Sequence, residues 1–491
     1  MRYFYDSHCH MMNLSHPNLT AIIKRIYTDN IKPLFLKYVK PFKIALVVIL
    51  FVIPAFLVAL LLTGHFWIIK LMLYGVSFMA LILFAYILFV FGKKDKRAIA
   101  FSKIQTSLID NAKEKLANVL NLLAIMETDI GDCLIQMEED LRKNLPLNSA
   151  LIISGNGETK QYDKMVLTPL IMDFGLKDSG NSRMTYKVRW KPIVAQVEDL
   201  CTGIRDYYRH RKDYIKGHPE PLFQIIPFMG INTQNYYSEK DKATGKNISV
   251  SLKQLLEKNF EKFKDDTSPQ MRRKHIDEIL WEDFNGNIES LKSHYFLGIK
   301  VYPPLGFDPW PEPGEERDKV CFLYDFCVEY NVPITAHCNP GGFLVHKDFS
   351  EYSSPFKWES VLKKYKKLRL NLAHFGGTDG KEWRRKIADM ILEKDSETGK
   401  YKYENLYADI SYQGVDESSY KDMMNFINGH DGEKRSRLLE RIIFGSDFMI
   451  NLQDISSYSK YLRYFIDSDA LTLEEKDMLC NKNAERFLYI G

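Results

Sequence analysis

The sequence lacks the closely spaced cysteine pairs of a disulfide framework or a small zinc module. Its seven cysteines are an odd number, and none belongs to a Cys-x-x-Cys pair. This usage is typical of a reducing compartment. There is also no Lys/Arg-rich run with interleaved aromatic residues, and the net charge is only +4. We therefore expect no nucleic-acid partner.

No internal repeat or low-complexity tract is present, and 45% hydrophobic with 13% aromatic residues is a globular composition. A chain of 491 residues is long enough for one large barrel with insertions. Because a charged, histidine-bearing strand occupies the first ten residues, we expect no cleavable signal peptide.

Two long uncharged runs, Ile44–Leu62 and Leu71–Phe91, interrupt this globular pattern. As a helix, each would span about 30 Å, the thickness of a bilayer core. Basic residues flank both outer ends. They are Lys40 and Lys43 on one side, and Lys93, Lys94, Lys96 and Arg97 on the other. The runs therefore predict a transmembrane hairpin, an integral membrane protein with a cytoplasmic catalytic domain, and the lipid bilayer as a partner. The alternative is a buried hairpin within a large soluble core.

The predicted organisation has five segments. They are a first barrel strand at residues 1–10, a connector at 11–43, the hairpin at 44–91, a long helical segment at 92–145, and the remainder of a barrel at 146–491. Apolar residues at three- and four-residue spacing predict the helical segment. We expect its acidic residues, such as Glu138, to form a solvated face rather than a metal site. We likewise expect the basic stretch Asp206–Lys212 to be a solvated helix face rather than a patch for lipid headgroups.

Eight short apolar segments, most of them bounded by Pro, Gly or Asn, read as strands. They are Phe4–His8, Met165–Met172, Leu222–Met229, Phe296–Tyr302, Pro333–Ala336, Leu368–Ala373, Leu406–Ile410 and Arg441–Gly445. Most are too apolar to leave one face in water, as in a parallel sheet. With the helical segments between them, they predict an α/β fold, a (β/α)₈ TIM barrel with chemistry at the carboxyl ends of its strands. The two-helix transmembrane hairpin would be inserted after the first strand.

Metal-type ligands occur at the ends of four of these strands. His8 and His10 are two residues apart, so their side chains point to the same face and could grip one ion. Alone, this is a weak signal, because two solvated histidines near a terminus would look the same. His337, His374 and Asp447 also each come just past an apolar run, with glycines nearby. Together the five side chains predict a metal site.

This pattern resembles the amidohydrolase superfamily and, within it, the branch called amidohydrolase-related or amidohydrolase 2. The resemblance spans residues 1–10 and about 165–491, and it does not include the hydrophobic hairpin. The motifs that carry it are Asp6–His10, Gly298–Pro303, Ala336–His337, Ala373–Gly376, Gly445–Asp447 and a helix-like Asn483–Leu488. It implies a metal-dependent hydrolase with a TIM-barrel fold.

The resemblance also implies a role for each ligand-type residue. His8, His10, His337 and Asp447 would bind a divalent metal, with zinc expected, Mn, Fe or Ni as alternatives, and one ion rather than two. His374 would polarise the substrate or move a proton in a one-metal site, and would be a ligand to the second metal in a two-metal site. Such a metal lowers the pKa of a water ligand to about 7. Asp447 could then take the water's proton and pass it to a leaving group.

Lys300, at the end of the fourth strand, has three readings that the sequence leaves open. They are a carboxylated bridge between two metals, a partner for a substrate carboxylate, and an ion pair at the barrel mouth. Asp173 could support a ligand histidine or simply form a turn. Four loop aromatics could line a pocket or pack against the barrel, and these are Tyr302, Phe307, Trp310 and Trp358.

These expectations lead to three hypotheses. The first is a membrane-anchored, metal-dependent hydrolase in which activated water attacks a C–N or C–O bond of a small molecule. The second keeps the site but makes the reaction a non-oxidative decarboxylation of a small carboxylic acid. The third is a membrane scaffold without turnover, against which the complete set of four histidines and Asp447 argues. The oligomeric state is left open.

Overall fold

The structure, a computed structural model, describes residues 2–16, 114, 117–145, 151–155, 157–174, 193–240, 247–377, 381–416 and 418–489. The chain divides into two compact units, residues 1–22 with 118–491, and residues 23–117. The second unit lies almost wholly outside the described residues. The same is true of most of the predicted connector and of the whole predicted hairpin, so the predicted segment boundaries stay predictions.

Parallel strands form the centre of the first unit. In chain order the strands are β1 (Tyr3–Cys9), β2 (Leu151–Gly155), β3 (Glu158–Tyr162), β4 (Lys164–Pro169), β5 (Phe223–Ile225), β6 (Phe228–Gly230), β7 (Glu239–Lys240), β8 (Asn247–Ile248), β9 (Gly298–Val301), β10 (Ile334–His337), β11 (Leu370–Ala373), β12 (Leu406–Asp409) and β13 (Ile442–Ile443). The pairs β2–β3 and β7–β8 are antiparallel, and the other strand pairs are parallel.

The parallel strands form two sheets whose edges meet. One sheet has the order β1-β4-β5, and the other has the order β13-β12-β11-β10-β9-β6. A parallel bridge between Leu170 and Phe228 joins the end of β4 to β6. On the other side, the backbone N–H of Ser7 in β1 donates to the carbonyl of Phe444, just past β13, at 3.1 Å. With β5 and β6 counted as one interrupted strand, eight strand positions close into a barrel.

The predicted α/β fold with parallel strands is confirmed, and each of the eight predicted strands falls on a barrel position. The third predicted strand differs from the expectation because it is interrupted. It forms β5 and β6 instead of running continuously from Leu222 to Met229. Pro227 lies in the interruption. A proline has no N–H to donate to a neighbouring strand, which explains the break.

Helices alternate with the barrel strands. The α-helices that begin after residue 129 are α1 (Ile130–Asn144), α2 (Ile193–Tyr214), α3 (Val250–Phe260), α4 (Pro269–Asp277), α5 (Glu315–Glu329), α6 (Pro355–Lys364), α7 (Lys381–Leu392), α8 (Ser418–Asn428), α9 (Gly432–Leu439), α10 (Tyr458–Asp467), α11 (Leu473–Asp477) and α12 (Asn483–Leu488). The last helix packs at the amino ends of the strands, where Phe487 shares a buried cluster with Tyr3 and Tyr407. The carboxyl ends of the strands are therefore the end that is available for a site.

The prediction of an integral membrane protein is wrong for the part of the chain that the structure describes. No helix in that part is both long and apolar enough to cross a membrane. The α2 helix has 22 residues, but charged side chains such as Glu198, Arg205 and Lys212 interrupt it, and charge at a bilayer centre is costly. The two runs that suggested a hairpin, Ile44–Leu62 and Leu71–Phe91, lie outside the described residues.

The expectation of a solvated acidic face on α1 is wrong at Glu138, whose side chain is fully buried. Its carboxylate accepts hydrogen bonds from Arg211 of α2 at 2.7 and 3.0 Å and from the Tyr207 hydroxyl at 2.6 Å. Arg211 is itself buried, so the stretch Asp206–Lys212 is not wholly solvated either. Burial opposes a charge on Glu138, but the hydrogen bonds from Arg211 and Tyr207 hold its pKa below the usual range.

Glu138→Gln is expected to lower the free energy of unfolding by about 3 kcal/mol at pH 7, because Arg211 loses its buried counter-charge. Since the folded-state pKa of Glu138 is depressed, the carboxylate adds stability above its unfolded-state pKa of about 4.3. That contribution is lost as the pH falls through the folded-state pKa. Urea unfolding of the two proteins should therefore show a difference at pH 7 that shrinks below about pH 4.

The control is Glu139→Gln, one residue further along α1. Glu139 is partly exposed and pairs with Lys143 at 3.7 Å, so its loss should change the free energy of unfolding by no more than about 0.5 kcal/mol. Equal destabilisation by the two substitutions would contradict a buried ion pair at Glu138.

Candidate metal centre

Two imidazoles meet at the carboxyl end of β1, beside an irregularity in that strand. Within residues 6–9 the register of β1 against β4 shifts by one residue, as in a β-bulge, and such bulges redirect side chains. His8 and His10 face each other with their Nε2 atoms 3.3 Å apart, as their spacing predicts. The Nδ1–H of His10 donates to the carbonyl of Leu170 at 2.8 Å, so the His10 Nε2 carries a lone pair. His8 directs its Nδ1 to Asp409, 2.9 Å away.

Asp447 reaches the same two rings from the loop that follows β13. Its Oδ1 lies 3.1 Å from His10 Nε2 and 3.4 Å from His8 Nε2. A φ of +58° places the Asp447 backbone in the left-handed region. The buried carboxylate of Asp6 holds this turn, because it accepts from the backbone N–H of Ser446 at 2.8 Å and from its hydroxyl at 2.6 Å. The first and the last barrel strands are thereby tied together beside the two histidines.

His337 and His374 form the second half of the cluster. His337 is the last residue of β10, and its Nδ1 lies 3.0 Å from the Nε2 of His374, which follows β11. The Nε2–H of His337 donates to the carbonyl of Gly341 at 3.0 Å, so the facing Nδ1 carries a lone pair. His374 and Phe375 have φ angles of +65° and +44°, a sharp turn that follows directly on the strand.

The five predicted side chains therefore share one buried space. Ligand atoms of His8, His374 and Asp447 all lie within 4.8 Å of one another. His10 adjoins His8, and His337 adjoins His374, at the distances given above. None of the five residues is more than 5% exposed. The structure thus brings the predicted set together, and the individual roles as ligand or catalyst stay predictions.

Burial and close contacts together set the charges of these side chains. Burial lowers the pKa of His10, His337 and His374, in the last case to about 4, so these rings are neutral at pH 7. Asp447 is ionised instead. Burial opposes its charge, but the close contacts with the His10 and His8 rings hold its pKa well below the usual range.

The donor set fits a divalent cation. The lone pairs of His10 Nε2 and His337 Nδ1 each point at another imidazole nitrogen, across 3.3 and 3.0 Å. A cation between the two nitrogens of each pair would satisfy these lone pairs, and burial disfavours protonation of His10, His337 and His374. Neutral imidazole and carboxylate are ligands that zinc and related ions prefer. The same donors also suit Mn, Fe and Ni, so the ligand types do not select one metal.

Lys300 lies buried in β9, 1% exposed. Its Nζ lies 5.7 Å from the centre of the Tyr302 ring and has no hydrogen-bond partner among the described residues. Burial lowers the pKa of Lys300 to about 8, with Asp409 and Asp447 acting in the opposite direction. The predicted ion pair at the barrel mouth is therefore not formed in this part of the chain. The carboxylated bridge and the partner for a substrate carboxylate both stay open.

Sequence reasoning missed Asp409, the last residue of β12. Its fully buried carboxylate accepts from His8 Nδ1 at 2.9 Å and from Asn371 Nδ2 at 2.7 Å. Burial alone would raise the pKa of Asp409, but His8 holds it below the usual range. In return, Asp409 raises the pKa of His8 against the effect of burial. The signal was available, because Leu406–Ala408 is an apolar run that ends in a carboxylate.

The loop aromatics divide between site and packing. The Tyr302 ring lies 4.8 Å from that of His337, so it borders the cluster. Trp358 is fully buried in α6 with its ring centre 6.5 Å from that of Phe307, which is a packing role for both. Asp173 accepts from two asparagines, Asn232 and Asn235, at 3.2 and 3.0 Å. Its support of a ligand histidine stays a prediction.

A second group of ligand-type residues serves stability. Asp266, His275 and His294 also have ligand atoms within 4.8 Å of one another. However, the Asp266 carboxylate already accepts from the buried guanidinium of Arg272 at 2.9 Å and from both imidazoles at 2.6 and 2.9 Å. A guanidinium at that distance repels a metal ion, so we interpret the group as a satisfied polar network.

Comparison with known proteins agrees with this geometry. The protein-family model described as Amidohydrolase matches residues 287–490, a span that contains His337, His374 and Asp447. Over these residues the chain is similar to the amidohydrolases. The prediction of an enzyme is thereby confirmed. None of the curated proteins compared with the chain matches it.

Several solved structures are similar to the enzyme at low identity. One is 4-oxalomesaconate hydratase from Rhodopseudomonas palustris, with 15% identity over 73% of this chain and 82% of that chain and a TM-score of 0.36. Another is a probable 2-pyrone-4,6-dicarboxylic acid hydrolase from Acinetobacter baumannii with citric acid bound, with 10% identity over 67% and 84% and a TM-score of 0.33. A third is dihydroorotase from Campylobacter jejuni, with 12% identity over 64% and 74% and a TM-score of 0.23.

Gly342→Ala is expected to destabilise the enzyme by at least about 2 kcal/mol and to weaken divalent-metal binding about tenfold. Gly342 has a φ of +110°, and an added Cβ would lie 2.5 Å from the Tyr302 hydroxyl and 3.1 Å from His337 Nε2. To relieve these contacts the loop would have to shift, and with it the neighbouring Gly341 carbonyl, which accepts the hydrogen bond from the His337 ring. Urea unfolding and Co²⁺ titration measure the two effects.

The matched control is Gly399→Ala. Gly399 also has a positive φ, +66°, but an added Cβ there would meet no heavy atom within 4 Å. It should cost only the backbone strain, about 1 kcal/mol, and leave metal binding unchanged. If both glycine substitutions weaken metal binding alike, the loop after β10 does not orient His337.

Proposed function

We propose that this enzyme is a metal-dependent hydrolase in which activated water attacks a C–N or C–O bond of a small molecule. One observation carries the proposal. Four imidazoles and one carboxylate, from the ends of four barrel strands, converge in a space that excludes solvent. The amidohydrolase match, which includes three of these five residues, supports the same conclusion.

His8, His10, His337 and Asp447 would hold the ion, and we expect one ion rather than two. A divalent ion bound there would act as a Lewis acid that activates water at neutral pH. The contacts of Asp447 Oδ1 with the two β1 histidines, at 3.4 and 3.1 Å, support a shared ligand set at this point. His337 contributes from the opposite side of the barrel through its unprotonated Nδ1.

Asp447 is the residue best placed to receive a proton from the attacking water. Its carboxylate is ionised because its pKa lies well below the usual range despite burial. Once protonated, it can return the proton to the leaving group, as a single acid–base residue does in general acid–base catalysis.

His374 would polarise the substrate or move a second proton. Its ring is neutral at pH 7, since burial lowers its pKa to about 4. The ring centre lies 4.9 Å from that of His8 and 4.7 Å from that of His337, so His374 borders both halves of the cluster. A neutral imidazole in this position can accept or share a proton without charge repulsion from the ion.

Decarboxylation of a small carboxylic acid is the second candidate. Lys300 supports this candidate. Its buried amine has no hydrogen-bond partner in the described part of the chain, and as an ammonium group it could pair with a substrate carboxylate. The same ligand set would serve this reaction, with proton delivery to carbon in place of water attack.

A substrate screen of the metal-loaded enzyme separates the two reactions. Esters, lactones, amides and small carboxylic acids are incubated with the wild type and with Asp447→Asn, and CO₂ release is measured beside hydrolysis. We expect hydrolysis of at least one class by the wild type and its loss in the variant. CO₂ release without hydrolysis would favour the decarboxylase. Absence of turnover, together with absence of stoichiometric metal, would contradict both.

A further inference from the structure

We propose that Asp409 and Ser411 act as one hydrogen-bonding unit that fixes the tautomers of His8 and His374, so that both rings direct an unprotonated Nε2 into the metal centre. Both are positioning residues, because they act through the two imidazoles. The inference rests on the proposed function, and it adds two residues to which neither the sequence motifs nor the family resemblance assigns a role.

Asp409 is an acceptor for five donors. Its Oδ2 accepts from His8 Nδ1 at 2.9 Å and from Asn371 Nδ2 at 2.7 Å. Its Oδ1 accepts from the backbone N–H groups of His374 at 2.9 Å and Ser411 at 3.1 Å, and also from the Ser411 hydroxyl. An ionised carboxylate only accepts, so His8 carries a proton on Nδ1, and in the neutral ring Nε2 is left free for a ligand bond.

Ser411 carries the same constraint to His374. Because the Ser411 hydroxyl hydrogen is directed to Asp409, the oxygen's lone pairs are left to accept. The His374 Nδ1 lies 2.9 Å from that oxygen and 3.3 Å from the Ser411 carbonyl, so the ring must present an Nδ1–H to them. The Nε2 of His374 is then unprotonated, 3.0 Å from His337.

One carboxylate thus sets the orientation of two imidazoles with different expected tasks. His8, on β1, is an expected metal ligand. His374, which follows β11, is an expected proton-transfer group. Ser411 Oγ also lies 3.1 Å from His8 Nδ1, so the hydroxyl touches both rings. An asparagine at position 409 would place an NH₂ donor where the carboxylate now accepts some of its five hydrogen bonds. One of the two rings would then lose its partner and could turn over or change tautomer.

The tautomers can be read directly in the metal-free enzyme labelled with ¹⁵N-histidine. Asp409→Asn should remove or shift the hydrogen-bonded Nδ1–H resonances of both His8 and His374. Ser411→Ala should change mainly that of His374, because the Nδ1–H of His8 still donates to Asp409 at 2.9 Å. The control is Glu404→Gln, a half-exposed carboxylate before β12 that pairs with Arg437 and Arg441. It should leave both resonances in place. Unchanged resonances in Asp409→Asn would overturn the proposal.

Co²⁺ titration of the metal-free protein supplies the second readout. Asp409→Asn should bind Co²⁺ about 10–100-fold more weakly than the wild type, the usual cost of losing a partner of a ligand histidine. Ser411→Ala should stay within about threefold of the wild type, because His374 is not an expected ligand. The double variant should bind no more weakly than Asp409→Asn, since the two residues form one unit.

The outcomes distinguish this proposal from the proposed function. A wild type that binds no Co²⁺ would remove the proposed function itself. A wild type that binds Co²⁺ with an Asp409→Asn variant of equal affinity would overturn only the positioning role. If Asp409→Asn does not fold, Ser411→Ala still decides, because a wild-type His374 resonance in that variant would contradict the link through Ser411.

Discussion

Asp447→Asn is expected to reduce kcat by at least about 10³-fold on any substrate that the wild type hydrolyses. The substitution removes the expected proton acceptor, and general acid–base groups contribute about 10²–10⁴-fold. It also removes a negative charge that lies 3.1 Å from His10 and 3.4 Å from His8, so it weakens the ligand set as well. Single-turnover and steady-state kinetics with saturating metal separate the loss of chemistry from the loss of metal.

Asparagine suits this test because it tolerates the left-handed backbone that Asp447 adopts, with a φ of +58°. The variant should therefore fold, which circular dichroism can check. Asp469→Asn is the matched control, since Asp469 is 84% exposed and forms a long surface ion pair, 3.8 Å from Lys421. Its kcat should equal that of the wild type. Substantial turnover by Asp447→Asn with bound metal would remove Asp447 from the proton-transfer role.

His374→Asn is expected to lower kcat by about 10²–10⁴-fold while the protein still binds one divalent ion. The ion should remain because its expected ligands are His8, His10, His337 and Asp447. The expected task of His374 is proton transfer or substrate polarisation. Asparagine again accommodates the positive φ of His374, +65°, and keeps the fold. Elemental analysis and kinetics on the same preparation measure both quantities.

The result also tells one ion from two. If wild type binds two ions and His374→Asn binds one, then His374 is a ligand to a second metal, and the expectation of one ion is wrong. His430→Asn provides a control for the loss of an imidazole, because His430 lies outside the cluster, with its Nδ1 3.2 Å from the carbonyl of Phe426. Wild-type kcat in His374→Asn would show that the ring takes no part in the reaction.

The barrel could be predicted from the sequence because its strands are short, apolar and buried on both faces. Each predicted strand falls on a barrel position, and even the break between β5 and β6 had a sequence signal in Pro227. The bulge in β1 had none. It depends on the pairing of residues 6–9 with β4, a tertiary contact that local sequence does not encode.

The convergence of the five strand-end side chains could be predicted from the sequence, but the hydrogen-bond network around them could not. Asp409 was missed because the seventh predicted strand, Leu406–Ile410, ran one residue too far, which placed the carboxylate inside the strand instead of at its end. Ser411 has no motif of its own. Its role follows only from the distances to His8 and His374, which come from strands that are far apart in sequence.

The Glu138–Arg211 pair could not be predicted from either helix alone. Each residue looks like part of a solvated face, and the two are 73 residues apart. They meet because α1 and α2 approach closely, with glycine on both helices at the crossing. A Cβ added to Gly203 would lie 2.5 Å from the Cβ of Ile130, and one added to Gly131 would lie 3.0 Å from that of Asp206.

The metal content of the purified full-length protein tests the central claim most directly. Elemental analysis of the wild type should find about one divalent ion per chain, and the double variant Asp447→Asn with His337→Ala should retain almost none. A wild type without a stoichiometric ion, or a double variant with the same metal content as the wild type, would contradict the account.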